Sequence, residues 1–356
     1  MTRLEQIARE LPKPAGAAIV TGRFNLRYLT GLRSSAGTLI IAPKGSGLII
    51  DSRYHELAVG TVKDCEIILQ DKLYDQIAGL LKKYGGVDTV ALDSENCNLK
   101  TRNAYREKLE GVTLLEDDRF GELIGRMRAV KNKEEISKIY AAQKIAEKTF
   151  DHILGFIKPG LTEREIALEA EVYGKTIGAQ DTAFSVIVAG GSNSSMPHAV
   201  PGDKKVNAGE FLLIDMGFMV DGYCSDMTRT VAIGHASRKQ KDVYNTALSA
   251  QQAALEKIKP GVLCKDVDAA ARGIIDASPY TGLFGHGLGH SLGLEVHETP
   301  AFNKINETPL QPGMVMTVEP GIYIPGEFGV RIEDLIAVTE DGFENLTASP
   351  KNLIVL

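Results

Sequence analysis

FLLIDMGFMVDGYCSDMTRTVAI, residues 211–233, decides how the second half of this 356-residue chain is read. Two β-rich runs flank Asp221-Gly222, a pair favoured in two-residue type I′ turns, so the stretch reads as a β-hairpin. With those two residues as the loop, Asp215 faces Thr228, and Asp226 lies two positions along on the same face. Diagonal neighbours of this kind sit roughly 7–8 Å apart at Cα, so both carboxylates can reach one ion or a close pair. A lone Asp more commonly ends a strand or caps a turn; two on one face of an apolar hairpin argue for a ligand pair. Cys224 shares Asp226's face, where a small buried residue is the commoner role, and Tyr223 points to the other face as packing.

EPGIYIPGEFGVRIED, residues 319–334, reads as a second hairpin turning around Pro325-Gly326-Glu327 and setting Glu319 opposite Glu333. Like charges across a sheet are destabilising, and a bound cation is the natural remedy. The competing reading leaves one Glu facing solvent or paired with Arg331. Between the hairpins, GHGLGHSLGLEVHETP (285–300) gathers three of the seven histidines, His286, His290 and His297. His198 stands apart in SMPHAVPG (195–202). Such clustering points to metal or acid–base chemistry, with a satisfied structural histidine as the alternative, most of all for His286. His297-Glu298 is followed by Thr-Pro-Ala, so this is no zincin helix. No dinucleotide-binding glycine pattern, P-loop or G-x-S-x-G elbow occurs.

In chain order, Asp215, Asp226, His290, Glu319 and Glu333 supply close to four negative charges, which two divalent ions would neutralise. Carboxylates with one imidazole suit Mn(II), Co(II) or Fe(II), with Zn(II) a further option. Two such ions roughly 3.5–4 Å apart would activate a shared water and polarise a substrate carbonyl.

The remaining sequence frames this constellation. A net charge of −6 argues against a general nucleic-acid binder, which would carry a basic excess. Cys65, Cys97, Cys224 and Cys264 form no C-x-x-C pair and read as reduced thiols in a cytoplasmic protein. The N-terminus lacks a secretory apolar region, and no run is long enough to span a bilayer. In the first third, strands AAIVTG, TLIIAP, GLIIDS and VDTVALDS alternate with helices LYDQIAGLLKKYG and NAYREKLEG, the rhythm of an α/β domain. After RMRAVKNKEE (126–135) comes a long amphipathic helix with Ile136, Ile139, Ala142, Ile145, Ala146, Phe150 and Ile153 at helical spacing. It stops at Lys158-Pro159-Gly160, and Thr162-Glu163-Arg164-Glu165 opens the next helix as a capping box. A third helix also ends at Lys-Pro-Gly (259–261), which suggests a weak internal repeat. The boundary is placed near residue 127, giving domains 1–127 and 128–356, with every candidate ligand in the second.

At these residues the chain resembles the pita-bread metallopeptidases: creatinase, prolidase, aminopeptidase P and methionine aminopeptidase. The resemblance implies an α+β pita-bread catalytic domain, with Asp215 on one metal, Asp226 and Glu333 bridging both, and His290 with Glu319 on the other. It implies that Glu319 relays a proton to the leaving amine, and that His198 and His297 hold substrate and stabilise the tetrahedral intermediate. His286 matches an extra histidine of the proline-specific branch, and Arg331 is assigned to substrate binding beside the three histidines. NLRYLTGLRSSAG (25–37) and IIDSRYHELA (49–58) resemble the smaller α/β creatinase-like N-terminal domain of that branch, which methionine aminopeptidases lack. The implied activity is Xaa-Pro cleavage by a dinuclear enzyme, with Mn(II) the first choice of metal. The implied substrates are peptides with proline in second position, and the implied assembly is a homodimer, with neither nucleic acid nor membrane as partner. Some dipeptidases of the family carry an Arg shortly after the second His of the cluster; HETPAFNK has Ala301 there, which leans toward an aminopeptidase over a dipeptidase. Creatinase-like, metal-free hydrolysis goes with loss of ligands, and a non-enzymatic pita-bread binding module would lack the ligand set; both are disfavoured by five intact ligands.

Overall fold

The structure, a computed structural model, describes all 356 residues as two compact units, Met1–Arg128 and Ala129–Leu356.

The first unit carries six strands, β1 (Ala17–Val20), β2 (Thr38–Ala42), β3 (Gly45–Ile50), β4 (Glu66–Leu69), β5 (Thr89–Leu92) and β6 (Thr113–Leu114). They form one sheet in the order β4-β3-β2-β1-β5-β6. The β3/β4, β1/β5 and β5/β6 pairs are parallel and the two central pairs antiparallel. Helices α1 (Arg3–Glu10), α2 (Arg23–Thr30), α3 (Ser52–Thr61), α4 (Leu73–Lys83), α5 (Leu99–Lys108) and α6 (Arg119–Ala129) alternate with them. Continuous apolar runs such as AAIV and TLIIA are buried along their whole length, as strands covered on both faces must be.

The second unit opens with α7 (Lys133–Phe156), which buries Ile139, Ala142, Ala146, Phe150 and Ile153. Lys-Pro-Gly ends it, and α8 (Glu163–Thr176) starts from the expected capping box: Glu165 N–H donates to Thr162 Oγ1, and Thr162 N–H to the Glu165 carboxylate. The echo recurs in α9 (Arg238–Lys257) and α10 (Cys264–Asp276). The backbone after each Lys-Pro-Gly makes an isolated antiparallel bridge, Thr162 to Lys205 and Leu263 to Pro309, so the repeat is structural.

The strands of this unit are β7 (Asp181–Thr182), β8 (Ile187–Gly190), β9 (Phe211–Met216), β10 (Phe218–Val220), β11 (Tyr223–Cys224) and β12 (Met227–Ala232), then β13 (Gly289–Ser291), β14 (Glu298–Phe302), β15 (Val315–Val318), β16 (Gly321–Ile324), β17 (Phe328–Arg331), β18 (Asp334–Val338) and β19 (Phe343–Asn345). All their ladders are antiparallel. The first hairpin has the predicted register, from Phe211 against Ala232 through Asp215 against Thr228 to Val220 against Tyr223. Asp221 and Gly222 both have positive φ, 47° and 75°, as a type I′ turn demands. The second hairpin also keeps one register, from Val315 against Ala337 to Ile324 against Phe328, which brings Glu319 level with Glu333. Each hairpin is interrupted midway, and a ligand candidate sits at each interruption. Separate apolar clusters back the two, one built on α7 and α8 and the other on α9 and α10. The whole is an α+β protein.

Candidate metal centre and active site

Asp215 is the last residue but one of the inner strand β9, Asp226 precedes β12, and Glu333 lies between β17 and β18; all three are buried. One carboxylate oxygen from each lies within 4.8 Å of the other two. Protein donors satisfy only part of this cluster. Arg331 Nη2 donates to Asp215 Oδ2 at 2.5 Å, and Thr228 Oγ1 donates to Glu333 Oε2 at 2.6 Å. Asp215 Oδ1, Asp226 Oδ1 and Glu333 Oε1 are buried with no hydrogen-bond partner. Three clustered carboxylates, each with an orphaned oxygen, fit a cation, since a buried carboxylate oxygen left alone is costly.

His290, on β13, faces the same place: its Nε2 is 3.4 Å from Glu319 Oε1 and 3.7 Å from Asp226 Oδ2. Its Nδ1 lies 3.1 Å from Ser291 O, a group that can only accept, so the proton belongs on Nδ1 and the Nε2 lone pair is directed at the carboxylates. Burial pushes His290 down to about 4, which keeps the ring neutral. Burial pushes Glu319 up to about 7, against the pull of Arg331. Asp226 and Glu333 are raised well above the usual carboxylate range, first by burial and then by neighbouring acids. Burial first, and neighbouring acids second, disfavour full ionisation of the cluster, and a cation would offset both.

Residues 137–340 match metallopeptidase family M24, and residues 2–130 match the creatinase/prolidase N-terminal domain. The chain belongs to metallopeptidase family M24. It is a metal-dependent peptidase with a creatinase-like N-terminal domain and a pita-bread catalytic domain. It is 40% identical to the uncharacterized peptidase YqhT of Bacillus subtilis over 95% of each chain. Among solved structures it resembles the Xaa-Pro dipeptidase from Bacillus anthracis, with a TM-score of 0.95 and 37% identity over 99% of this chain and 98% of that one. The X-Pro aminopeptidase from Thermotoga maritima superposes with a TM-score of 0.91 and 34% identity, covering 99% and 100% of the two chains. The prolidase from Pyrococcus furiosus gives 0.89 and 33%, covering 98% and 99%.

In this M24 peptidase a cavity of about 630 Å³ opens onto the carboxylates and is also lined by His198, His286 and His297. His198 and His297 are exposed, and the ring of His297 lies 4.4 Å from that of His290. His286 is more enclosed: Nδ1 bonds Gly287 O at 2.8 Å, and Tyr323 OH lies 3.0 Å from Nε2. Arg331 pairs with Asp215 instead of either glutamate, and its other contacts run from Nε to Thr228 Oγ1 and from Nη1 to Tyr323 OH and Pro197 O. Cys224 is buried with Sγ 3.9 Å from Leu294 O and does not line the cavity; Tyr223 packs on the other side and donates to Glu135 Oε1. Sequence reasoning missed Thr228 and Tyr323. Thr228 carried a signal, since it shares the face of Asp226 opposite Asp215; Tyr323, in GIYI, carried none.

The M24 chain has no helix long and apolar enough to cross a membrane.

Proposed function

We propose that this chain is a Xaa-Pro aminopeptidase, removing the first residue of peptides that have proline in second position. The observation that carries the choice is the state of Arg331. It is the sole Lys or Arg side chain lining the cavity, and its guanidinium is engaged by Asp215, Thr228 and Tyr323. No ammonium or guanidinium on the wall is left to hold the C-terminal carboxylate of a dipeptide, whereas a longer peptide needs none. Ala301, on the same wall, supports this. The second reading, a Xaa-Pro dipeptidase, is favoured by the likeness to the Bacillus anthracis Xaa-Pro dipeptidase across the whole chain.

Asp215, Asp226, His290, Glu319 and Glu333 would hold two divalent ions, and a carboxylate-rich set with one imidazole favours Mn(II) over Co(II), Fe(II) or Zn(II). Such ions supply Lewis-acid polarisation of the scissile carbonyl and a nucleophile at neutral pH. Glu319 would accept a proton from the attacking water and pass it to the leaving imino nitrogen as the C–N bond breaks. His198 and His297 donate hydrogen bonds to the carbonyl oxygen as it gains charge. His286, oriented by Tyr323, bounds the far side of the scissile bond, and Phe184, Ile187, Val296 and Phe302 offer an apolar wall for the proline ring. Arg331 acts on substrate through its hold on Asp215. The homodimer and the cytoplasmic location belong to the same reading.

The test is an assay of the metal-reconstituted protein on Xaa-Pro dipeptides against Xaa-Pro-Yaa tripeptides. The expected result is efficient cleavage of the tripeptides. Cleavage of dipeptides alone overturns the aminopeptidase reading in favour of the dipeptidase, and inactivity on both with all four metals overturns the proline-peptidase reading itself.

A further inference from the structure

The loop that carries His198 leaves β8 at Gly190 and returns at Gly202, and a single buried carboxylate closes its neck. Glu163, the first residue of α8, is 1% exposed. Its Oε1 accepts Gly190 N–H at 2.8 Å and Asn193 Nδ2 at 3.0 Å; its Oε2 accepts Gly202 N–H at 3.1 Å and Asn193 Nδ2 at 3.1 Å. Thus both ends of the loop and one residue inside it converge on one side chain. The backbone adds to the grip, because Arg164 N–H donates to Gly202 O and Glu163 N–H to Lys204 O. Farther along, Ser194 is fully buried, accepts Gly329 N–H at 2.9 Å and donates to Gly191 O at 2.6 Å. A Cβ at Gly329 would lie 2.1 Å from Ser194 O, so the loop seats directly on the backbone of β17, two residues from Arg331. Pro197 O, adjacent to His198, accepts from Arg331.

We propose that Glu163 is a positioning residue for His198. A buried carboxylate is costly unless its acceptors are filled, and here four charge-assisted bonds and the positive end of α8 offset the desolvation. Every one of those bonds is made to the His198 loop. The bonds that satisfy this buried side chain are therefore the bonds that hold the neck of the loop shut. His198 itself is exposed, so the loop, closed at its neck by Glu163 and seated on β17 through Ser194 and Pro197, fixes where its ring stands over the cavity. The catalytic groups below depend on strands β9, β12, β13, β15 and β18, none of which bonds to Glu163. Glu163 thus acts on the His198 loop directly and reaches the candidate metal ligands only through β8 and Arg331, which is why bound metal is one of the readouts.

This inference rests on the role of His198 in the proposed function, and the experiment separates the two. Glu163→Gln keeps the shape but sets an amide N–H₂ against one of the two glycine N–H groups. Wild type, Glu163→Gln, His198→Ala and the double variant, each metal-loaded, are compared for kcat and KM on a Xaa-Pro-Yaa tripeptide, and for bound metal per chain. The expected result is a loss of kcat/KM on the order of 10²-fold for Glu163→Gln, as for an ångström-scale misplacement, with metal content unchanged. In the His198→Ala background the same change is expected to add almost nothing. Asn193→Ala, a milder change at the same neck, should give a smaller loss that His198→Ala also absorbs, and it decides the question if Glu163→Gln does not fold. Full additivity of either neck variant with His198→Ala, wild-type turnover in both, or loss of bound metal overturns the positioning role while leaving the function intact. Wild-type turnover in His198→Ala overturns the assignment of His198, and the positioning role with it.

Discussion

In the hairpin from Phe211 to Ala232 the residue across from Asp215 is Thr228, a hydroxyl, while in the hairpin from Val315 to Val338 the register brings Glu319 level with Glu333, acid against acid. Each hairpin repairs the other. The second lends Arg331 to Asp215 of the first, and the first lends Thr228 to Glu333 of the second. Each of these two carboxylates is thereby satisfied at one oxygen and left bare at the other. These two residues and Asp226, which also has an unbonded oxygen, each bring a carboxylate oxygen within 4.8 Å of the other two. The scaffold satisfies one oxygen of Asp215 and one of Glu333 and leaves the other of each unpaired, an arrangement that suits a cation.

The comparison breaks most completely if a converging oxygen is removed. Asp226→Ala or Glu333→Ala is expected to abolish peptidase activity, by more than the roughly 10–100-fold typical of outer-shell changes. A steady-state assay with metal titration checks this, and near-normal turnover would mean that the ligands lie elsewhere.

Metal depletion tests the charge imbalance itself. Asp226, Glu319 and Glu333 have folded pKa values above their ordinary ones, Glu319 at about 7. Groups raised in this way contribute stability fully below the ordinary carboxylate pKa and lose it as pH climbs through the folded value. The chelated protein should therefore lose thermal stability between pH 6 and pH 8 relative to the loaded one. Binding releases protons, so the metal-induced rise in Tm should widen over that window. The widening should reach at least roughly 2–4 °C, the shift that 1 kcal/mol produces in a domain of this size. Parallel thermal melts with and without chelator settle it; a gap that is constant or narrows with pH would refute the crowded-acid account.

Thr228→Val removes the hydroxyl that donates to Glu333 and accepts from Arg331 Nε at 3.0 Å. Metal affinity should fall about tenfold, the lower end for such supporting partners. Titration calorimetry on the folded variant is the measurement, and unchanged affinity would show that the exchange between hairpins is ornamental to binding. The smallest effect belongs to the turn. Gly222→Ala forces a side chain into φ 75° and should cost about 1–2 kcal/mol by chemical denaturation. Because the turn lies well beyond Asp226 along the hairpin, kcat should stay near wild type.

Much of this was legible because local chemistry acts over short sequence distances. Asp221-Gly222 specifies its own turn, and a two-residue loop leaves one register, so the match of Asp215 to Thr228 followed from the letters alone. Pro325-Gly326-Glu327 did the same for the second hairpin. Lys-Pro-Gly marked two helix ends, and Thr162 with Glu165 marked a helix start. Arg331 shows where such reading ends. Its competing partners on paper were the glutamates of its own hairpin, whereas it reaches across to Asp215, 116 positions away. Tyr323 and the neck of the His198 loop escaped for the same reason, since a tyrosine in an apolar run and a glutamate opening a helix look like ordinary packing and capping.

The sequence by itself determined the elements, the registers of both hairpins and the kinds of atom offered to a metal, because strand period, turn chemistry and residue type are local properties. Only the tertiary structure decided which oxygens remain bare, which guanidinium is already engaged, and which buried carboxylate holds the His198 loop. Those depend on contacts between segments distant in the chain, where burial makes every unfilled acceptor costly and so selects one arrangement of partners.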